Sequence, residues 1–435
     1  MYLTDRSAPA PAGAADRGRR RGPVTGVAPV VLVLGTVSLI TDISSEMVTA
    51  VLPLYLVTTL GFSPLGFGTL DGVYNGVSAL VQLTGGHLAD RVRNHKLMAG
   101  LGYGLSALCK PLLLLAGSVG ALGTVLALDR TGKGLRTAPR DAMISLSTPA
   151  ERQGRAFGVH RAMDTTGALL GPLTAFLILR AAADGYDAVF GVSACVAVLG
   201  VLVLVLFVPG RRRAPGTPGA SDAGATAADE GSAADGRQPV RVREALALLR
   251  LPRLRALAGC AALLGLTTVS DAFVYLLLQR RAGIAEQWFP LLPLGTAAVF
   301  LLLAVPVGSL ADRIGRRTVF LAGHAVLLTG YALLLWAPAT PALPFLVLAL
   351  HGTFYAATDG VLPAALAGVV PDHLRASGLA IVGTSQALAR FCCSLAFGAA
   401  WTMWGPGPAL AGSAAGLLCC ATVAGMVLRP ADETR

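Results

Sequence analysis

The sequence predicts an all-α membrane protein: about twelve spanning helices in two six-helix bundles. Three observations predict it. Apolar runs of roughly 20 residues recur along the whole length, each long enough to cross a bilayer as a helix. The chain has 435 residues, 54% of them apolar and only 14% charged, where a soluble chain carries about a quarter charged; its mean hydropathy is +0.65. One loop signature also occurs twice, at matching points of the two halves. GGHLADRVRNHKLMAG runs from Gly85 to Gly100 and GSLADRIGRRTVFLAG from Gly308 to Gly323. Gly86 aligns with Gly308, Asp90 with Asp312 and Arg91 with Arg313. A duplicated loop between apolar runs marks a duplicated membrane protein.

Residues 1–27 are polar and rich in Ala, Pro and Arg, and are expected to be a disordered tail. They do not read as a signal peptide, because the following apolar run is too long and has no clear cleavage site. The first bundle is expected over 28–208, with spans near 29–59, 66–89, 96–117, 120–145, 154–181 and 186–208. Residues 209–250, rich in Ala, Gly, Asp, Ser and Pro, form a flexible linker whose end, 240–250, has helical spacing suited to a membrane surface. The second bundle is expected over 251–429, with spans near 253–281, 288–311, 317–337, 342–366, 375–400 and 406–428.

The net charge of +11 does not imply a nucleic-acid partner, because the basic residues cluster in short joints between apolar runs. Arg91, Arg93 and Lys96, Arg211 to Arg213, and Arg313, Arg316 and Arg317 lie on one side with the basic tail. The joints near Gly61, Gly117, Pro338 and Gly405 carry no basic residue, and Arg280 and Arg281 are the exception. Both termini and the linker are therefore expected in the cytoplasm. Only three lysines occur, against many arginines. With the Ala, Gly and Leu bias, this associates with GC-rich bacterial genes and places the chain in a bacterial inner membrane. The seven cysteines fall in apolar segments without zinc-ligand spacing and read as small packing residues. Gly132-Lys133-Gly134 lacks the spacing of a phosphate loop. No nucleophile–base set stands out, so neither an enzyme nor a metal or cofactor site is expected.

Ionisable residues inside a membrane call for a reason. Asp42 and Glu46 are four apart in the first span, on one helical face. Two carboxylates on a partly desolvated face suit proton handling, or a structural lock with Arg130 of the fourth span. Arg136 and Arg140 in that span are expected to reach the headgroups by snorkelling. In the fifth span, His160 and Asp164 could relay protons, while Arg161 and Asp164 could form a stabilising ion pair; both remain open. Gly167, Gly171 and Pro172 permit close helix approach and a kink. Asp271, Tyr275 and Gln279 form a polar face in the seventh span; Tyr355 and Asp359 share one in the tenth, and Gln386 and Arg390 one in the eleventh. With Asn75 of the second span these are the candidate substrate contacts. His351 reads as a packed polar residue, and Lys110 before Pro111 has no assigned role.

These motifs resemble those of the major facilitator superfamily over nearly the whole chain outside tail and linker. The Gly-x-Leu-Ala-Asp-Arg loop is similar to its best-known motif, although Asn94 and His95 stand in the first copy where the second has Arg316 and Arg317. Arg130 and Gly134 in DRTGKGLRTAPRD are similar to an Arg-x-x-x-Gly pattern of proton-coupled members. Gly167-Ala-Leu-Leu-Gly171-Pro172 resembles an element of proton-driven export antiporters, without its trailing glycine pair. The resemblance implies that Asp90 caps a helix start near Leu374, and Asp312 one near Gly154, in one state of a gating cycle.

The expectation is thus a proton-coupled transporter that exports a small organic molecule by antiport. It would use Asp42, Glu46, Arg130, His160, Arg161 and Asp164 for protons, with protons, cargo and lipid as partners and a monomer as the working form. A symporter or siderophore-type transporter of the same frame is the nearest rival. A receptor that no longer transports is the rival of another class, and buried charges in both halves argue against it. Reporters fused at residue 1, 225 or 435 should all report a cytoplasmic location; an external signal from any one would break the topology.

Overall fold

The structure is a computed structural model that describes residues 27–91, 95–149, 153–182, 185–208, 250–359 and 375–428. The expected tail (apart from residue 27), nearly all of the linker and the end of the tenth expected span lie outside them. Among the described residues there are thirteen α-helices and no strand. The first six are α1 (Pro29–Leu54), α2 (Pro64–Arg91), α3 (His95–Leu115), α4 (Val119–Leu146), α5 (Gln153–Ala181) and α6 (Gly185–Phe207). Then come α7 (Pro252–Gly265), α8 (Asp271–Ala282), α9 (Leu291–Ile314), α10 (Arg316–Trp336), α11 (Leu343–Thr358), α12 (Arg375–Trp404) and α13 (Pro406–Val427).

Seven of the described helices are long and apolar enough to span a bilayer on composition alone, fewer than the twelve expected. α7, α8 and α11 are shorter than a full span over the described residues, and for α4 the reason is physical. α4 carries Asp129, Arg130, Lys133, Arg136, Arg140 and Asp141, so burying charge between helices costs it the apolar signal of a lipid-facing span. Lipid-facing helices behave oppositely. Leu206 on α6, Val305 on α9 and Phe345 on α11 are 70%, 78% and 75% exposed, a bare apolar surface of the kind a bilayer covers.

The seventh expected span is not one helix. It breaks at 266–270 into α7 and α8, which corrects the continuous 253–281. The hydroxyls of Thr267 and Thr268 both donate to the Leu264 carbonyl, offering the backbone an alternative to helix. The amide of Val269, freed by the break, donates to the Tyr331 hydroxyl of α10 at 2.8 Å. Asp271 then opens α8, where a carboxylate suits the positive end of the helix.

Helices α1–α6 pack on one another, with α1 against α5 and α6, and α3 against α4 and α6. α7–α13 form a second set, with α9 and α10 against α11, and α7 against α12 and α13. The sets meet where α2 packs on α12 and α5 on α9. Among the described residues, contacts between them include a group at the end that holds residues 60–65, 176–182, 185–190, 284–290 and 398–405. There Leu65 N donates to Thr402 Oγ1 at 3.0 Å and Tyr186 Oη to Glu286 Oε2 at 3.0 Å. Phe176 stacks near Trp288, and Phe273 sits edge-on to both Phe67 and Phe397.

Both exceptional arginines on the closed side are engaged locally. Arg281 donates to the Ala337 carbonyl at the end of α10 at 2.5 Å, and Arg280 lies over the Trp401 ring.

The α2–α12 seam depends on glycine. A Cβ at Gly68 would run into the Ser394 carbonyl oxygen, and one at Gly398 would lie 2.5 Å from the Pro64 carbonyl oxygen. Neither backbone atom can swing aside. Gly68→Ala should therefore destabilise the closed seam by about 1–3 kcal/mol. A cysteine placed at Phe397 should then react with an impermeant maleimide at least about five-fold faster. An unchanged rate would show that the seam does not need the glycine.

Candidate functional site

Gly167 and Gly171 bring α5 onto α1: a Cβ there would lie 2.5 Å from the Leu39 carbonyl oxygen and 2.7 Å from Glu46 Cβ. One turn before Gly167, Asp164 joins the charge cluster that also holds Asp42. From α4, Arg136 Nη2 lies 3.4 Å from Asp42 Oδ1, and Arg140 Nη1 3.8 Å from Asp164 Oδ1. Arg140 also holds Asp141 at 3.0 Å and donates to Ser38 Oγ. Arg136 is 3% exposed and stacks on the Tyr103 ring. The snorkelling expected of Arg136 and Arg140 is thereby corrected: both turn inward, because α4 is enclosed and buried carboxylates on α1 and α5 need cations.

Arg130 likewise does not clamp the two carboxylates of α1. Its guanidinium takes Asp129 at 2.9 Å and covers the Tyr74 ring at 4.0 Å. Asp129 also accepts from Lys110 Nζ at 3.0 Å and from Ser106 Oγ at 2.5 Å, which gives Lys110 a partner. Glu46 instead meets Lys133 at 3.8 Å. Nor is His160 paired with Asp164: its Nε2 bonds Ser38 Oγ at 3.1 Å. Asp164 has a weak second cation in Arg161, at 3.9 Å with a side chain 80% exposed.

Beside this cluster is a cavity of about 340 Å³ between the two halves. Glu46 and Thr49 of α1 and Tyr74 of α2 line it from one side. Asp271 and Tyr275 of α8, Tyr355 of α11 and the adjoining Asp359 line it from the other. Asp271 Oδ1 accepts from Tyr355 Oη at 2.6 Å and bonds His351 Nε2 at 2.9 Å. His351 is 3% exposed, a packed polar residue with a carboxylate partner. Gln386 and Arg390 line a smaller cavity of about 140 Å³ inside the second half, with His324; Asp359 borders both. Gln279 belongs to neither, since its amide donates to the Ile284 carbonyl past the end of α8. The side chains of Asn75, Gly86, Asp90 and Arg91 are outside the described residues.

Asp312 is exposed and pairs with Arg316 at 3.3 Å across the α9–α10 turn. The short i,i+4 pair is the nearer partner for a carboxylate on an open turn. Arg313 lies on that same exposed turn.

The family model of the Major Facilitator Superfamily matches residues 34–391, and again 291–435. The chain belongs to the major facilitator superfamily. It is 29% identical over 382 residues to an uncharacterised MFS-type transporter of Methanocaldococcus jannaschii, covering 85% of this chain and 88% of that one. In fold it is similar to the nucleoside transporter NupG, with TM-score 0.75 and 13% identity over 92% of this chain and 99% of the other. A D-xylose–proton symporter matches with TM-score 0.66 and 15% identity over 91% and 96%. The protein is thus a multi-pass membrane transporter of this superfamily.

Within this facilitator fold, sequence inspection passed over Asp71 and Tyr74 on α2 and His324 on α10, all of which line cavities. Asp71 carried a usable signal, because it is an ionisable residue within an expected span. Arg136→Met would leave the buried Asp42 carboxylate without its cation and should cost roughly 3–5 kcal/mol. Adding Asp42→Asn should restore most of that loss. Thermal unfolding in detergent tests this, and equal midpoints for Arg136→Met and the double variant would refute the pairing.

Proposed function

We propose that this facilitator is a proton-coupled secondary transporter that exports a small organic molecule by antiport. It would act as a monomer in a bacterial plasma membrane, with both termini in the cytoplasm. Cargo occupies the cavity between the halves, and the halves rock about it so that one end opens as the other closes. The expected orientation puts the closed end outside, so cargo would enter from the cytoplasmic end.

The observation that supports coupling best is the gathering of three carboxyls around two arginines of α4. Three carboxyls, Asp42, Asp164 and Asp141, share the guanidiniums of Arg136 and Arg140. Such a set can hold one proton among neighbouring acids and give it up when the surrounding cations shift. Gly167 and Gly171 bring the acids of α1 and α5 into one cluster by seating α5 directly on α1. The site borders the cavity through Glu46, so loss of a proton and arrival of cargo are felt by the same helix. In the second half, Asp271, Tyr275 and Tyr355 supply polar and aromatic contacts for cargo.

A panel of small organic compounds, offered to inverted vesicles with and without a pH gradient, tests direction and coupling together. Accumulation driven by an acid interior supports antiport; accumulation driven by the opposite gradient would make the protein a symporter. With a transported compound in hand, Asp42→Asn should abolish gradient-driven accumulation and leave gradient-free exchange within about two-fold of the parent. Equal loss of both would reduce the pair to a structural lock. Uphill export that persists in both Asp42→Asn and Asp164→Asn would remove this cluster from the coupling mechanism.

A further inference from the structure

Asp71 sits where the cavity wall and the closed seam meet. Its carboxylate lines the cavity from α2, in the first half. Its Oδ2 accepts from Ser394 Oγ of α12 at 2.5 Å, and Ser270, at the helix break before α8, lines the same cavity. Both hydroxyls belong to the second half. The same carboxylate is close enough to Asp271 to feel its like charge, and to Arg390 to feel its opposite charge. Asp271 in turn is held by His351 and Tyr355, and Arg390 faces Asp359 as well. One acid of the first half is therefore set into a charge cluster of the second half, alongside the seam that Gly68 and Gly398 draw tight.

We propose that Asp71 is a positioning residue of the transport cycle: a latch that holds the closed end through Ser394, with a grip set by the charge on Asp271. The physical reasoning has two parts. A hydroxyl donating to a carboxylate makes one of the stronger hydrogen bonds, and the Ser394–Asp71 bond crosses between the halves, so opening the seam must break it. The Asp71–Asp271 repulsion also crosses between the halves and loosens the seam while both are ionised. A positive charge taken up at Asp271 cancels that repulsion and tightens the latch; its departure lets the end open. The state of the cavity is thereby passed to the seam through one side chain. This goes beyond the proton-antiport proposal but rests on the alternating-access frame in which that proposal is set.

The test measures the seam without substrate or gradient, so failure of the antiport proposal would leave it intact. In the full chain with its seven cysteines replaced, spin labels at Leu65→Cys and Met403→Cys report the distance between the closed ends of α2 and α12. Conditions are chosen that populate both the short and the long distance in the parent. Asp71→Ala should raise the long-distance fraction at least three-fold, and Ser394→Ala should move it the same way. Asp271→Asn should lower that fraction by about half in the parent and leave it unchanged when Asp71 is already Ala. An Asp71→Ala protein with parental distances would overturn the latch. Equal effects of Asp271→Asn in both backgrounds would overturn its dependence on Asp271. Asp71→Asn keeps the shape and one acceptor oxygen, and should give an intermediate fraction. If Asp71→Ala fails to fold, Asp71→Asn decides: parental distances there would also overturn the proposal.

Discussion

The ion pair between Asp42 and Arg136 is the constraint to which much of the first half answers. A charge on α1, inside a bilayer, has to be met by another charge within a few ångströms or it will not be tolerated. Arg136 meets it at 3.4 Å, which fixes α4 beside α1 even though the two helices touch along only a short stretch. Once α4 is there, its other charges follow the same rule. Arg130 settles on Asp129, Lys133 on Glu46 and Arg140 on Asp141 and Asp164. The charged helix is enclosed, and the outer helices are free to be purely apolar.

The second half solves the same problem with fewer charges and an interrupted helix. Asp271 has no arginine at bonding distance; it is carried by the start of α8, by a tyrosine hydroxyl and by a histidine ring. Neutral donors and a helix terminus hold a carboxylate less tightly than a guanidinium does, so a charge there is easier to exchange. The break at 266–270 is what makes that start available in mid-membrane, and Tyr331 satisfies the amide the break sets free. The two halves share loop signatures, yet a fixed charge lattice faces an adjustable hydrogen-bonded site across one cavity.

The fold was legible because its signals are local. Apolar runs, basic joints and the duplicated Asp-Arg loop each lie within a short window of sequence, and together they specify spans and repeats. Partner choice was much less so. That Asp42 and Glu46 belong to one face of α1 could be read from spacing. That Arg136 rather than Arg130 would answer Asp42 could not, because it depends on how α4 is rotated about its own axis, and Arg130 is drawn away by Asp129 and Lys110. Snorkelling was a reasonable expectation for arginines in the half of α4 near the basic joints, and it failed because those residues face helices and not lipid. The helix break was missed for a similar reason: Thr267, Thr268 and Ser270 are mild signals alone, and it takes the Tyr331 hydroxyl, 62 residues away, to stabilise the open turn.

The closed seam shows why a transporter can be tight at one end without being locked. Glycines let α2 and α12 approach until backbone meets backbone, which excludes water and gives dispersion contacts along the whole stretch. Such contacts are individually weak, so the two helices can part as rigid bodies. Strong, directional contacts along the seam would make the closed state permanent; none at all would let both ends leak. A short polar contact at Asp71, placed where a glycine seam meets a cavity wall, falls between these limits. Its energy is large enough to bias the closed end and small enough for a change of one charge in the cavity to overcome.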